Sequence, residues 1–139
     1  MLYTFFYHTI SDEDLAFAKH LYPIKTTRQF EEDLDFLLAN FEPLQLDDLG
    51  NWKQIKKPTF LLTFDDGLRQ VGEVIAPILL RKGIPAIFFV NKAFAKHEVI
   101  FYKHQESWLK EQIDLNQLKI NDLYLSKNEL NSLSENGFL

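Results

Sequence analysis

Three stretches of the chain are apolar almost without interruption. They are Leu2-Tyr3-Thr4-Phe5-Phe6-Tyr7, Thr59-Phe60-Leu61-Leu62-Thr63-Phe64 and Ala86-Ile87-Phe88-Phe89-Val90. Each has the length of a strand buried on both faces. Between them, apolar residues recur at helical spacing. Phe30, Leu34, Leu37, Leu38 and Phe41 define one face of a helix over 26–41, and Thr26 and Gln29 have capping-box spacing at its start. Leu44-Gln45-Leu46 reads as a short extended segment, and Asp47 as the cap of a brief helix to Lys53. A second helical pattern runs from after Gly67 to Lys82, where Pro77 must either kink it or start its regular part, and Gly83 ends it. Ser126 and Glu129 repeat the capping-box spacing, with Leu130 and Leu133 facing inward and Gly137 as the stop. Residues 91–125 are polar and hard to read, with a helix predicted from Tyr102 to Ile113.

Alternating strands and helices with apolar strands predict a parallel α/β sheet. Repeats, low-complexity tracts and linkers are absent from the sequence. Phe138-Leu139 has the look of a further strand opening after Gly137, so the chain reads as the front half of a larger α/β domain. A docked C-terminal tail is the plainer account of the same two residues.

Thr63-Phe64-Asp65-Asp66-Gly67 carries the chemistry. An apolar strand ends in two adjacent carboxylates and a glycine turns the chain. Strand ends at a sheet rim are where α/β proteins gather ligands. Two neighbouring carboxylates repel, and a cation relieves that repulsion. One can hold a divalent ion while the other takes a proton from water. An Asp-Gly turn with no further role is the plain alternative. His8 follows the first strand and belongs at the same rim, as an active-site neighbour or a structural histidine. Asn91 follows the third strand and reads most simply as a loop start. His20, His97 and His104 stand in polar surroundings and are expected to be exposed. Trp52 and Trp108 could stack on sugar rings or cover a core edge.

Composition narrows the choices. The 139 residues suffice for one domain, and the net charge of −5 argues against a nucleic-acid partner. Without cysteine, a metal site must use Asp, Glu, His and water. No apolar run is long enough to span a bilayer, and the N-terminus lacks the basic start of a signal peptide, so a cytoplasmic location is expected.

Leu62-Thr63-Phe64-Asp65-Asp66-Gly67, together with Arg81-Lys82-Gly83-Ile84-Pro85-Ala86-Ile87-Phe88-Phe89-Val90, resembles the polysaccharide deacetylase family (carbohydrate esterase family 4). Tyr7-His8, the helix from Gln29 to Leu38 and Pro43-Leu44-Gln45-Leu46-Asp47-Asp48-Leu49 fit the same pattern. The resemblance covers residues 1–90 and returns at 126–139. It implies a parallel-strand (β/α) barrel, of which residues 1–139 would be the N-terminal part of a single catalytic domain. It implies a metal-dependent hydrolase that removes N- or O-linked acetyl groups from a glycan. Asp65 would be the general base and Asp66 a ligand of the divalent metal, zinc first. In the family the other ligands are histidines of a Ser/Thr-His-x-x-x-His motif, followed by an acid His and an orienting Arg. This sequence contains no His-x-x-x-His, so residues 1–139 alone are expected to be inactive. An incomplete barrel would leave sheet edges exposed, and self-association is expected to follow.

Two other classes compete. A catalytically dead glycan-binding relative would keep the Asp pair without turnover. A phosphoacceptor receiver domain would need an Asp at the end of a later strand, where this chain has Asn91, and an acidic pair nearer its start.

Overall fold

The computed structural model describes residues 1–139, the side chain of Leu115 aside. Its frame is a four-stranded parallel sheet centred on one strand. The strands are β1 (Leu2–Tyr7), β2 (Glu42–Pro43), β3 (Thr59–Asp65) and β4 (Ala86–Phe89). β1 lies along β3 in register from Leu2↔Thr59 to Tyr7↔Phe64. The other edge of β3 is shared. β2 takes Thr59 and Phe60, and β4 takes Leu62 to Asp65. β3 is therefore paired on both sides and buried from Thr59 to Phe64, as its apolar run requires.

Side chains alternate across the sheet. Phe60, Leu62 and Phe64 join a core with Phe30, Leu34 and Leu37 of α1 (Thr27–Asn40) and Ile78 and Leu79 of α2 (Ala76–Lys82). Leu133 of α5 (Lys127–Glu135) completes that side. The opposite face carries Phe6 and Phe89, which are 68% and 56% exposed. β1 and β4 are thus strands as predicted, but neither is buried on both faces: Phe5, Tyr7 and Phe88 are partly buried against the core, and only Ala86 is fully buried.

Local rules explain most element ends. Thr26 and Gln29 form the predicted capping box, as do Ser126 and Glu129. Leu38, predicted on the inward face of α1, is exposed instead, because the buried stripe follows Phe30, Leu34 and Leu37. Gln45, not Asp47, precedes the 3-10 segment Leu46–Gln54. Pro77 starts the regular part of its helix. It has no N–H to donate, and the turn before it, Val71–Ile75, widens to π spacing. At the C-terminus, Phe88 donates to the Leu139 carbonyl at 2.7 Å and Leu139 donates to Ala86 at 3.3 Å, which extends the ladder beyond β4. No helix among the described residues is long and apolar enough to cross a membrane.

Residues 91–125 form α3 (Lys92–Ala95), α4 (Tyr102–Lys110) and connecting turns. They fold against residues 9–25 as a second core, in which Leu15, Phe17 and Ala18 meet Phe94, Leu123 and Tyr124. Ser107 donates to the Ala16 carbonyl at 2.8 Å, and Glu111 pairs with Lys19 and His20 at 2.5 Å. This second core also takes in Leu68, next to the turn that leaves β3.

Candidate active site

Asp65 is the last residue of β3, and Asp66-Gly67 turn the chain with φ of +72° and +65°. Asp tolerates the left-handed region better than most residues, and glycine needs no tolerance. Gly67 is required for a second reason. A Cβ there would lie 2.8 Å from Cγ1 of Val90. The turn is held from outside by residues 123–125. Arg69 N–H donates to Leu123 at 2.7 Å, Leu125 N–H donates to Gly67 at 3.0 Å, and Leu68 bridges Tyr124.

The β1–β3 register sets Tyr7 beside Phe64, so the next residues, His8 and Asp65, also neighbour each other. His8 Nε2 is 4.0 Å from Asp65 Oδ2. The His8 ring stacks on Tyr22 with centroids 4.1 Å apart and planes 15° apart. Tyr22 in turn donates its phenol to Asp66 Oδ2 at 2.6 Å. The two carboxylates and His8, expected at one rim, are brought together by the geometry. Both carboxylates are partly exposed.

Three further side chains join them. Tyr22 Oη is 3.0 Å from His104 Nε2, and His104 Nδ1 is 2.6 Å from Tyr124 Oη. Phe101 N–H donates to the same Tyr124 oxygen at 3.1 Å. His104 is fully buried, contrary to the expectation that it is exposed, because the edges of Phe17 and Phe101 enclose its ring. Burial holds its pKa down at about 4, with Asp66 opposing and His8 assisting the shift. Burial and the Asp66 carboxylate push the Tyr22 phenol up, and burial pushes Tyr124 up to about 12. The sequence pointed to neither Tyr22 nor Tyr124, and it placed His104 at the surface. A signal existed for His104. Phe101, His104 and Trp108 recur at helical spacing, so His104 lies on the inward stripe of α4.

The remaining candidates lie elsewhere. His20 is an exposed partner of Glu111, and His97 is half-buried with Nε2 3.2 Å from the Tyr124 carbonyl. Asn91 caps α3 by accepting from Ala93 N–H at 2.9 Å. Trp108 packs on the second core, and Trp52 is exposed beside Lys53. Among the described residues, no three His, Cys, Asp or Glu side chains converge as a metal site. These residues do not by themselves fit a tightly held zinc, which takes about three protein ligands.

Residues 53–138, from the end of the 3-10 segment through α5, match the polysaccharide deacetylase family. The chain belongs to that family. Solved structures agree on the fold of this chain. A de-N-acetylase from Aggregatibacter actinomycetemcomitans matches with a TM-score of 0.66 at 17% identity, over 99% of this chain and 52% of its own. IcaB from Ammonifex degensii matches with a TM-score of 0.66 at 19% identity, over 99% and 50%. The Streptococcus pyogenes deacetylase PplD, solved in complex with acetate, matches with a TM-score of 0.67 at 16% identity, over 97% and 52%. At such identities the likeness establishes the fold, which is part of the deacetylase (β/α) barrel. The chain spans about half the length of these structures. No curated protein matches it.

Proposed function

We propose that residues 1–139 are the N-terminal part of one catalytic domain that hydrolyses acetyl groups from an acetylated glycan. Asp65 takes the proton of the attacking water, and Asp66 contributes one carboxylate ligand to a divalent cation, zinc first. What carries the reading is the adjacent Asp65 and Asp66 at the end of the central strand of a chain in the deacetylase family. The acetate bound to PplD is the product such a reaction would release. His8, 4.0 Å from Asp65, is the neighbour that can share a charge or a substrate hydroxyl with the base. Since one ligand does not make a zinc site, no chemical step is assigned to a metal on this chain.

The test is acetate release from N-acetylglucosamine oligomers, with bound zinc measured in parallel on the protein containing this chain. Asp65→Asn should keep zinc and lose at least about 100-fold in rate, the usual scale for a general base. Asp66→Ala should lose zinc. Equal loss of zinc in both would overturn the division of roles. Residues 1–139 alone should release little acetate, and robust release from them would show that the site is complete without further ligands.

A further inference from the structure

Three of the histidines have their rings tied by hydrogen bonds. His20 pairs with Glu111, His97 with the Tyr124 carbonyl, and His104 with Tyr22 and Tyr124. Among the described residues, neither ring nitrogen of His8 has a hydrogen-bond partner. Its ring is held by contact instead. It stacks flat on Tyr22, and Phe6 stands nearly perpendicular to it with centroids 6.1 Å apart. Tyr22 is a firm support, because its hydroxyl is fixed between two partners. A carboxylate only accepts, so Tyr22 donates to Asp66 Oδ2, and its oxygen accepts from His104 Nε2. His8 is therefore an imidazole held in place with its hydrogen-bonding capacity unspent.

His8 Nε2 and Asp65 Oδ2 are 4.0 Å apart. That is too long for a direct hydrogen bond, and it suits two groups that share one oxygen atom. The sharing has one arrangement of protons. Asp65 only accepts, so the shared group donates its proton to Oδ2, and its lone pair takes the N–H of His8 Nε2. An ether or carbonyl oxygen has no proton for Asp65, and an ammonium has no lone pair for His8. A hydroxyl has both. His8 also lines a cavity of about 510 Å³, together with Phe6, Tyr22, Pro23 and Lys25. A cavity of that size with aromatic walls beside a polar pair fits a pyranose, which has apolar C–H faces and a rim of hydroxyls.

We propose that His8 and Asp65 together bind one hydroxyl of the sugar ring that carries the acetyl group, and that Tyr22 is the positioning residue that holds His8 at the required distance. The proposal rests on the reading of this rim as a glycan deacetylase site, and its groups do not include the proposed metal ligand. The hydroxyl concerned is on the ring carbon next to the acetylated position, the one nearest the carbonyl under attack. The pair then acts on specificity: an acetamide without a neighbouring hydroxyl forfeits both bonds.

Two ligands that cannot turn over test it on the protein containing this chain. One is the glucosamine trimer, the deacetylated product, and the other is its analogue lacking the hydroxyl next to each amine. Titration calorimetry should show the trimer bound about tenfold or more tighter, the scale of a hydrogen bond to a charged group. His8→Phe keeps the stack on Tyr22 and removes the N–H. It should bring the two affinities together by weakening the trimer alone. His8→Gln restores a donor and should recover part of the preference. Tyr22→Leu removes the support and should narrow the preference, and an unchanged preference there would overturn the positioning role. Equal binding of both ligands by wild type, binding of neither, or a full preference in His8→Phe would overturn the shared hydroxyl. Acetate release from the N-acetylglucosamine trimer separates this from the reading of Asp65 as base. Release that survives Asp65→Asn, with the His8-dependent preference intact in wild type, would remove the base and leave the shared hydroxyl standing. Release abolished by Asp65→Asn, with no preference in wild type, would keep the base and overturn the proposal.

Discussion

Gly67 has neither the conformation nor the space for a side chain. Its φ is +65°, and an added Cβ would meet Val90 at 2.8 Å. Gly67→Ala should destabilise the protein by roughly 1–3 kcal/mol. Gly50→Ala is the control, because a Cβ there meets nothing within 4 Å. Denaturant unfolding of the two variants checks the contrast, and equal midpoints would remove the argument. His104 adds a dependence on pH. Its folded pKa is near 4, against 6.5 when free. The unfolded chain therefore takes up a proton in that interval while the native ring stays neutral. Stability should be fully present above about pH 6.5 and fall as the pH drops toward 4, by on the order of 2–3 kcal/mol. His104→Gln should flatten that part of the stability curve. That Asp65, Asp66 and His8 meet at one rim could be read from sequence, because each directly follows or ends an apolar strand. Tyr22 and Tyr124 could not. Their partners come from segments distant in sequence, and no local spacing encodes such a meeting.

At the scale of elements, capping and periodicity carried the prediction. The boxes at Thr26 and Ser126 and the start at Pro77 are local rules, and they appear where the residues put them. The errors came where tertiary contact decides. Leu38 satisfies helical spacing, yet the core receives only Leu34 and Leu37 from that turn. Leu34→Ala should cost about 2–5 kcal/mol, the range for a buried leucine, and Leu38→Ala much less. Thermal unfolding that ranked the two equally would mean that α1 is rotated from the orientation described. Residues 91–125 resisted reading because their apolar residues do not face the main sheet. They face residues 9–25, and neither segment has a core without the other.

At the scale of the whole molecule, one face of the sheet is covered by α1, α2 and α5, and the other presents Phe6 and Phe89. Among the described residues, β1 pairs only with β3, so one edge of β1 is open. Exposed edges and apolar faces seek partners. Residues 1–139 should therefore self-associate, with sedimentation velocity showing a mass that rises with concentration. Phe6→Lys should reduce the effect, and a monomer at every concentration would contradict it. The α/β class and parallel order were legible from the strand–helix alternation. The one-sided cover of β1 and β4 was not, because an apolar strand facing an uncovered surface looks in sequence like one facing a core.

The register of β1 against β3 has a consequence for how the protein is made. β1 is synthesised before β3, and that partner follows only after α1, β2 and the 3-10 segment have been made. Until then Leu-Tyr-Thr-Phe-Phe-Tyr is an uncharged, aromatic, strand-forming hexamer without its β3 partner. Such segments are where nascent chains aggregate, and distant pairing of this kind slows folding. Slowing translation between Asn40 and Thr59 should lower the soluble yield more than slowing it after Phe89, because only the first pause prolongs the time β1 spends without β3.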